Sequence, residues 1–375
     1  MKNTIYCKAL FHLPENVHYF SGHSLGPITK NAKQQLQQGL HEWENKLVNA
    51  WTDAHWMDLP KHCGDKIAPL IGAKTHEVIV CDNTTLNLLK VLLSAVALNN
   101  KRKIILTEQG NFPTDNYIAQ SVANVQGVTL KALPKKDIID ALNESVAVLM
   151  LTHVDYKTAE KWDLAKITKK AHAWGIITVW DLSHSVGMMP IDCSNSAVDF
   201  AVGCTYKYLN GGPGAPSFIY VNERHLDLAP DIQGWMGHQQ PFAFLENYIP
   251  AHGIKRYLSG TPCILSMKAL AGALSVYEHL NLQVIEQESQ KLTNYLIECC
   301  AKHAPSLTLA SPRESSVRGN HVAFTHPQAD KLACALNANG VVVDYRAPFI
   351  RFGISPLYLN HTDLDCAIKI LNDLM

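Results

Sequence analysis

No Cys-x-x-Cys pair occurs among the ten cysteines, and they are scattered along the chain. In a chain this long, that pattern reads as reduced, mostly buried thiols of a cytosolic protein and not as a disulfide framework. Eighteen histidines occur without a His-Glu-x-x-His, so no metal site is expected. Neither sign of charge is in excess: 33 basic and 33 acidic residues cancel, and no block of like charges appears. Nucleic-acid partners and electrostatic membrane binding both need a basic face and are therefore excluded. The longest apolar runs, such as Val91–Leu98 and Ala147–Leu151, fall well short of the ~18 residues of a spanning helix. Met1–Leu10 lacks the apolar stretch and small-residue site of a secretory leader. Nucleotide fingerprints are missing too, with neither G-x-G-x-x-G after a strand nor G-x-x-x-x-G-K-[ST].

What is present is an alternation. Short β-branched runs at 77–81, 103–106, 147–152, 176–180 and 200–204 read as buried strands, with a further strand at 218–221. Amphipathic stretches at 85–97, 114–125 and 164–174 lie between them as helices. This spacing predicts an α/β fold whose largely parallel sheet is covered on both faces. Beyond residue 264 the character changes. Two long helices are expected over 264–280 and 282–302, then strands at 322–325 and 341–343 alternating with helices from 328 and 362. The expected division is an N-terminal segment, 1–49, joining a small lobe; a large domain, 50–258; and a small α+β domain, 259–375. At 375 residues, two domains of ordinary size are accommodated.

Two residues define the candidate site. Asp181 ends a very apolar strand, and Lys207 follows the next one, just before Asn210-Gly-Gly-Pro-Gly214. Open α/β sheets bind ligands at the carboxyl ends of their strands, so both side chains belong to one crevice. A carboxylate and an amine there suit pyridoxal 5'-phosphate: the lysine forms a Schiff base, and the aspartate keeps the pyridine nitrogen protonated. Taken singly, each has a plainer reading, a capping aspartate and a surface lysine. Asn83-Thr84-Thr85, between a strand and a helix, offers amides and hydroxyls for a phosphate or serves as an ordinary cap. Phe112 can stack on a planar ring or fill the core. His184 sits three residues after Asp181, beside the cofactor or as a structural histidine, and Arg351 can grip a carboxylate or make a salt bridge.

These residues sit in longer motifs. Val179-Trp-Asp-Leu-Ser-His-Ser-Val-Gly187 and Cys204-Thr-Tyr-Lys-Tyr-Leu-Asn-Gly-Gly-Pro-Gly214 resemble kynureninase, a fold-type-I pyridoxal phosphate enzyme. The likeness continues through Asn111–Asp115, Leu151–Thr158, Gly234–His238, Gly260-Thr-Pro262 and Leu357-Tyr358, in order along nearly the whole chain. The resemblance implies hydrolytic Cβ–Cγ cleavage of L-kynurenine, or its 3-hydroxy form, to the anthranilate and L-alanine in tryptophan catabolism and NAD biosynthesis. It makes Lys207 the Schiff-base lysine and carrier of the Cα proton. Asp181 becomes the partner of the pyridine nitrogen with His184 beside it, and Phe112 the stacking ring. Thr84, Thr85 and Tyr206 become phosphate ligands, Tyr206 also a proton donor, and Thr152 and Asp115 line the pocket. Trp235 and Thr261 correspond to positions that reach the cofactor from the partner subunit of a homodimer, and Arg351 to the residue that holds the α-carboxylate. Gly260-Thr261 follows the bacterial pattern and leans toward plain kynurenine.

Three positions depart from the family: His23 stands where Asn is usual, Met236 where a second aromatic is common, and Ala159 where glycine is common. None removes a catalytic residue. The nearest rival is another fold-type-I enzyme, a cysteine desulfurase or class V aminotransferase. The loop Val341–Pro356 carries no cysteine, against the desulfurase. A non-catalytic protein on the same fold would be marked by loss of Lys207, Asp181 or Arg351, and all three are present.

Overall fold

The computed structural model describes residues 5–375, so Met1–Thr4 of the N-terminal stretch considered above lie outside the described residues. After β1 (His18–Tyr19) come α1 (Lys30–Lys46), α2 (Ala50–Asp53) and α3 (Leu59–Ile67). Next come β2 (Val78–Cys81), α4 (Thr84–Leu98), β3 (Ile104–Glu108), α5 (Pro113–Gln126) and β4 (Thr129–Leu133). The chain continues through β5 (Val146–Thr152), α6 (Leu164–Ala173), β6 (Ile177–Asp181), β7 (Phe200–Gly203) and β8 (Ser217–Val221). The remainder comprises α7 (Ile264–Leu274), α8 (Leu282–His303), β9 (Thr308–Leu309), β10 (His321–Thr325), α9 (Ala329–Ala338), β11 (Val341–Val342), β12 (Asp344–Arg346), β13 (Phe349–Gly353) and α10 (His361–Asp373).

The seven strands of the large sheet lie in the order β2-β8-β7-β6-β5-β3-β4. Only β8 runs against its neighbours, pairing antiparallel with β7 and β2. The central strands are apolar on both faces because both faces are covered. All seven residues of β5 are buried. Val148 and Met150 join one core with α4 and α5, while Leu149 and Leu151 join the other with α3 and α6. The consequence for function is positional: the carboxyl ends of β2, β3, β5, β6 and β7 all open on one edge.

The smaller sheet is antiparallel, in the order β12-β13-β10-β9. The N-terminal segment attaches to this half: β1 pairs parallel with β11, and the Gly353 amide donates to the Phe20 carbonyl at 2.6 Å. One expected element is shorter than its hydrophobic pattern. The helix over 264–280 stops at Leu274 and tightens into a 3-10 turn over Ser275–Tyr277. Ser275 Oγ takes the Gly272 carbonyl at 2.7 Å, and Tyr277 turns inward to donate to the Tyr208 carbonyl at 2.6 Å. Local side-chain bonding thereby outcompetes helix propagation.

Candidate active site

Lys207 is delivered by the turn after β7. That turn is closed by Gly211 N–H to the Thr205 carbonyl (2.9 Å) and by Thr205 Oγ1 to the Pro216 carbonyl (2.6 Å). Asn210, Gly212 and Gly214 all adopt positive φ, which explains the glycine-rich sequence that follows the lysine. Asp181 is the last residue of β6, buried, with Oδ1 accepting the Ser183 amide at 2.7 Å. Ser183 Oγ in turn receives the Cys204 amide at 3.0 Å and so ties the end of β6 to the end of β7.

These side chains share a 210 Å³ cavity with Thr84, Thr85, Phe112, Asp115, Thr152, Tyr156, His184 and Tyr206. The sequence-derived residues therefore converge, with three exceptions. Trp235 and Thr261 do not line this cavity within one chain; both are exposed, Trp235 on a short 3-10 turn and Thr261 before α7. Arg351 lies outside the lining as well, one layer behind Tyr156, whose backbone carbonyl accepts from Arg351 Nη1.

Lys207 Nζ is 2.9 Å from His184 Nε2. Burial, then the Lys207 charge, holds the His184 ring well below its usual range, so the Lys207 amine faces a neutral imidazole. The Asp181 carboxyl is pushed up by burial, against the Ser183 hydrogen bond and Lys207, which pull it down. Asp115 is pushed further, by burial and by the Asp181 charge; its Oδ2 shares a hydrogen bond with Thr152 Oγ1 at 2.9 Å and its Oδ1 has no partner. Tyr206 is likewise raised, chiefly by burial, and stays a hydroxyl donor. At the entrance, Asn83 caps α4 by accepting the Leu86 amide at 3.0 Å. The amides of Thr84 and Thr85, ahead of the first intrahelical bond, are left for an anion. Phe112 turns an exposed ring toward the lysine, with Lys207 Nζ 5.8 Å from its centroid and Tyr156 edge-on at 5.2 Å.

Buried carboxylate, lysine, exposed aromatic face and helix N-terminus form the donor set that a pyridine ring carrying a phosphate requires. The unpartnered Nδ1 of His184 and Oδ1 of Asp115 are buried polar atoms that such a ring system can satisfy. The residues present fit pyridoxal phosphate.

Four contributors were not singled out in the sequence. Tyr156 builds the wall between Phe112 and Arg351. Asp344, beside Arg351 across the β12–β13 pair, accepts from Arg351 Nη2. Asn111 caps its own turn and receives the Thr152 hydroxyl. His321 stacks on His23 with ring centroids 5.1 Å apart and an interplanar angle of 14°. A histidine starting an apolar strand carries no local signal of that kind, and Asp344 is tied to Arg351 only through the register of β12 and β13.

A mainly parallel sheet with its lysine after β7 and its aspartate ending β6 defines a protein of the class V aminotransferase type, and the Aminotransferase class-V family profile matches residues 26–345. The fold superposes on a cysteine desulfurase from Thermococcus onnurineus with a TM-score of 0.84, at 19% identity, covering 98% of this chain and 96% of that one. A C-DES variant with glycine covalently linked to its pyridoxal phosphate cofactor gives 0.80 at 18% identity, covering 96% and 97%. Sequence likeness is far stronger elsewhere. The kynureninase of Deinococcus radiodurans is 42% identical over 373 residues, covering 96% of this chain and 90% of that protein. That of Pseudomonas fluorescens is 41% identical over 380 residues, covering 97% and 91%. The chain belongs to the kynureninase family.

Proposed function

We propose that this protein is a pyridoxal phosphate-dependent hydrolase that splits L-kynurenine with water into anthranilate and L-alanine. The observation that carries it is the convergence of Lys207, Asp181, His184, Phe112 and Thr84–Thr85 on one cavity in a chain of the kynureninase family. When bound, the cofactor supplies an electron sink for the negative charge that develops at Cα. Lys207 would hold it and would carry the Cα proton, with the neutral His184 ring keeping the amine oriented. Asp181 would face the ring nitrogen, Phe112 one ring face, and Thr84, Thr85 and Tyr206 the phosphate. Thr152 and Asp115 lie along the ring edge, and the Tyr206 hydroxyl can return a proton to the alanine-forming fragment. Arg351, oriented by Asp344 and the Tyr156 carbonyl, is assigned to the substrate α-carboxylate.

The same proposal includes a homodimer in the cytoplasm. Its support is an apolar hollow of 380 Å³ around Trp43, Leu47, Val48 and Trp51, in which Val48 is 75% exposed. A second apolar patch at Phe242–Leu245 lies on the segment that follows Trp235. In a dimer, Trp235 and Thr261 would serve the partner's cavity. Ten free thiols agree with a reducing compartment.

The test is anthranilate fluorescence after mixing cofactor-saturated protein with L-kynurenine, with alanine measured in parallel. Equimolar release is expected, faster than with 3-hydroxykynurenine. Transfer of the amino group to the cofactor with no anthranilate would instead point to an aminotransferase.

A further inference from the structure

His23 occupies a place that only a glycine leaves open. Arg351 and Gly353 are two apart on β13 and so project from the same face; in register with them on β10 are Ala323 and His321. A Cβ on Gly353 would stand 2.1 Å from His23 Nδ1, so the His23 ring lies directly over that residue. On that face it stacks on His321, with His184 tilted toward both at centroid distances of 6.3 and 5.6 Å. His23 is fully buried, and neither of its ring nitrogens is hydrogen-bonded. The same holds for His321, and Arg351 Nε is also unpartnered. This concentration of unsatisfied polar atoms is the reverse of ordinary core practice.

The charges around the ring explain its state. Complete burial, then Arg351, His321, Lys207 and Arg346, all oppose a positive imidazole. Asp344 is 3.9 Å from His23 Nε2, but its oxygens are engaged by Arg351 and Arg346. For His321 burial, Arg351 and Lys207 act in the same direction, with the nearby backbone of Lys157 and Tyr156 pulling the other way. An arriving carboxylate changes this balance. Arg351 and Arg346 together carry one more charge than Asp344, so an arriving carboxylate cancels the excess positive charge that opposes a proton on the neighbouring imidazoles.

We propose that His23, seated over Gly353 and stacked on His321, is a second recognition residue for the substrate α-carboxylate, and that it takes a proton from solvent as that carboxylate binds. The inference rests on the assignment of the carboxylate to Arg351. Protonated His23 donates to the carboxylate, and the uncharged His321 supports it from behind. The proton returns to solvent when the carboxylate leaves.

The test uses holoenzyme and propionate, which has the carboxylate of alanine but no amino group to engage Lys207. In weakly buffered solution near pH 6.5, pH-matched propionate should draw protons from the medium with wild-type protein, and this uptake should fade about two pH units higher. His23→Asn should abolish the uptake and raise KM for L-kynurenine about tenfold, the scale of one charge-assisted hydrogen bond, with kcat within about threefold. Absence of uptake by wild type overturns the proposal without any variant, as does equal uptake by wild type and His23→Asn. His23→Gln, closer in volume, replaces His23→Asn if the latter does not hold cofactor. Arg351→Ala separates the two assignments. If it abolishes propionate binding while His23→Asn behaves as wild type, only the role of His23 falls. If it leaves propionate binding and KM unchanged, the carboxylate site itself is misplaced and both fall.

Discussion

At the scale of single residues, the site is a set of groups whose charged forms are disfavoured by burial. The amine of Lys207 touches the His184 ring and is the one amine among the residues lining the cavity, the group there that can form a Schiff base with a carbonyl. Lys207→Ala should therefore lower turnover of L-kynurenine by at least about a thousandfold, the usual cost of removing a covalent participant. It should also remove the visible absorbance of the lysine-linked cofactor, and persistence of either signal would take Lys207 out of its role. The sequence made Lys207 and Asp181 legible because strand ends and glycine-rich turns have strong local signatures. It left His321 and Asp344 silent. Their chemistry exists only where β10, β12 and β13 come into register, and no spacing along the chain encodes that.

At the scale of elements, the positions of these groups are set by how firmly the strands are packed. Trp180, next to Asp181 on β6, is buried in the core shared with α6, and its indole N–H donates to Thr168 Oγ1 at 3.1 Å. Trp180→Ala should cost about 3–5 kcal/mol of stability, the usual range for a large aromatic removed from a core. A shift in the denaturant midpoint would measure it, and a change below about 1 kcal/mol would mean that β6 is not the rigid support described here. The central strands were readable because burial on both faces demands unbroken runs such as Val146–Thr152. β4 was not: Thr129–Leu133 is an edge strand with largely exposed side chains, and its sequence looks like a loop. The end of α7 was hidden for a different reason, since the hydrophobic pattern continues to Leu280 while Ser275 and Tyr277 redirect the backbone.

At the scale of the whole molecule, the buried imidazoles dictate how the fold responds to acid. His23, His184 and His321 are held well below their ordinary range, and burial takes His153 to about 3. Each binds a proton more readily when the chain is unfolded. The stability they permit is fully present above about pH 6.5 and falls as pH drops toward the folded-state values, by up to about 1.4 kcal/mol per pH unit for each ring. Asp115, Asp181 and Glu108, raised by burial, contribute with the opposite sign, but three carboxyls oppose five imidazoles once the half-buried His62 is included. The thermal midpoint of the cofactor-free protein should therefore decline steadily below pH 6.5, and a midpoint constant down to about pH 5 would contradict the buried, neutral cluster. The exposed Trp43–Trp51 surface leads to a separate expectation. If the proposed dimer forms there, Val48→Asp should sediment as monomer and lose activity with it, whereas a Val48→Asp dimer would move the interface elsewhere.

One pairing has a consequence for how the protein is made. β1, at residues 18–19, has its partner at residues 341–342, and Phe20 and His23 meet Gly353. A ribosome releases the first of these strands long before its partner exists. Until translation is nearly complete, the segment holding His23 has no groove to occupy, and the carboxylate end of the site stays open to water. The sheet bearing Lys207 and Asp181 can be assembled earlier, since both lie in the 40 or so residues between β6 and the end of β8. A nascent chain could thus build the half of the site proposed to hold the cofactor while still unable to close the half proposed to recognise the substrate.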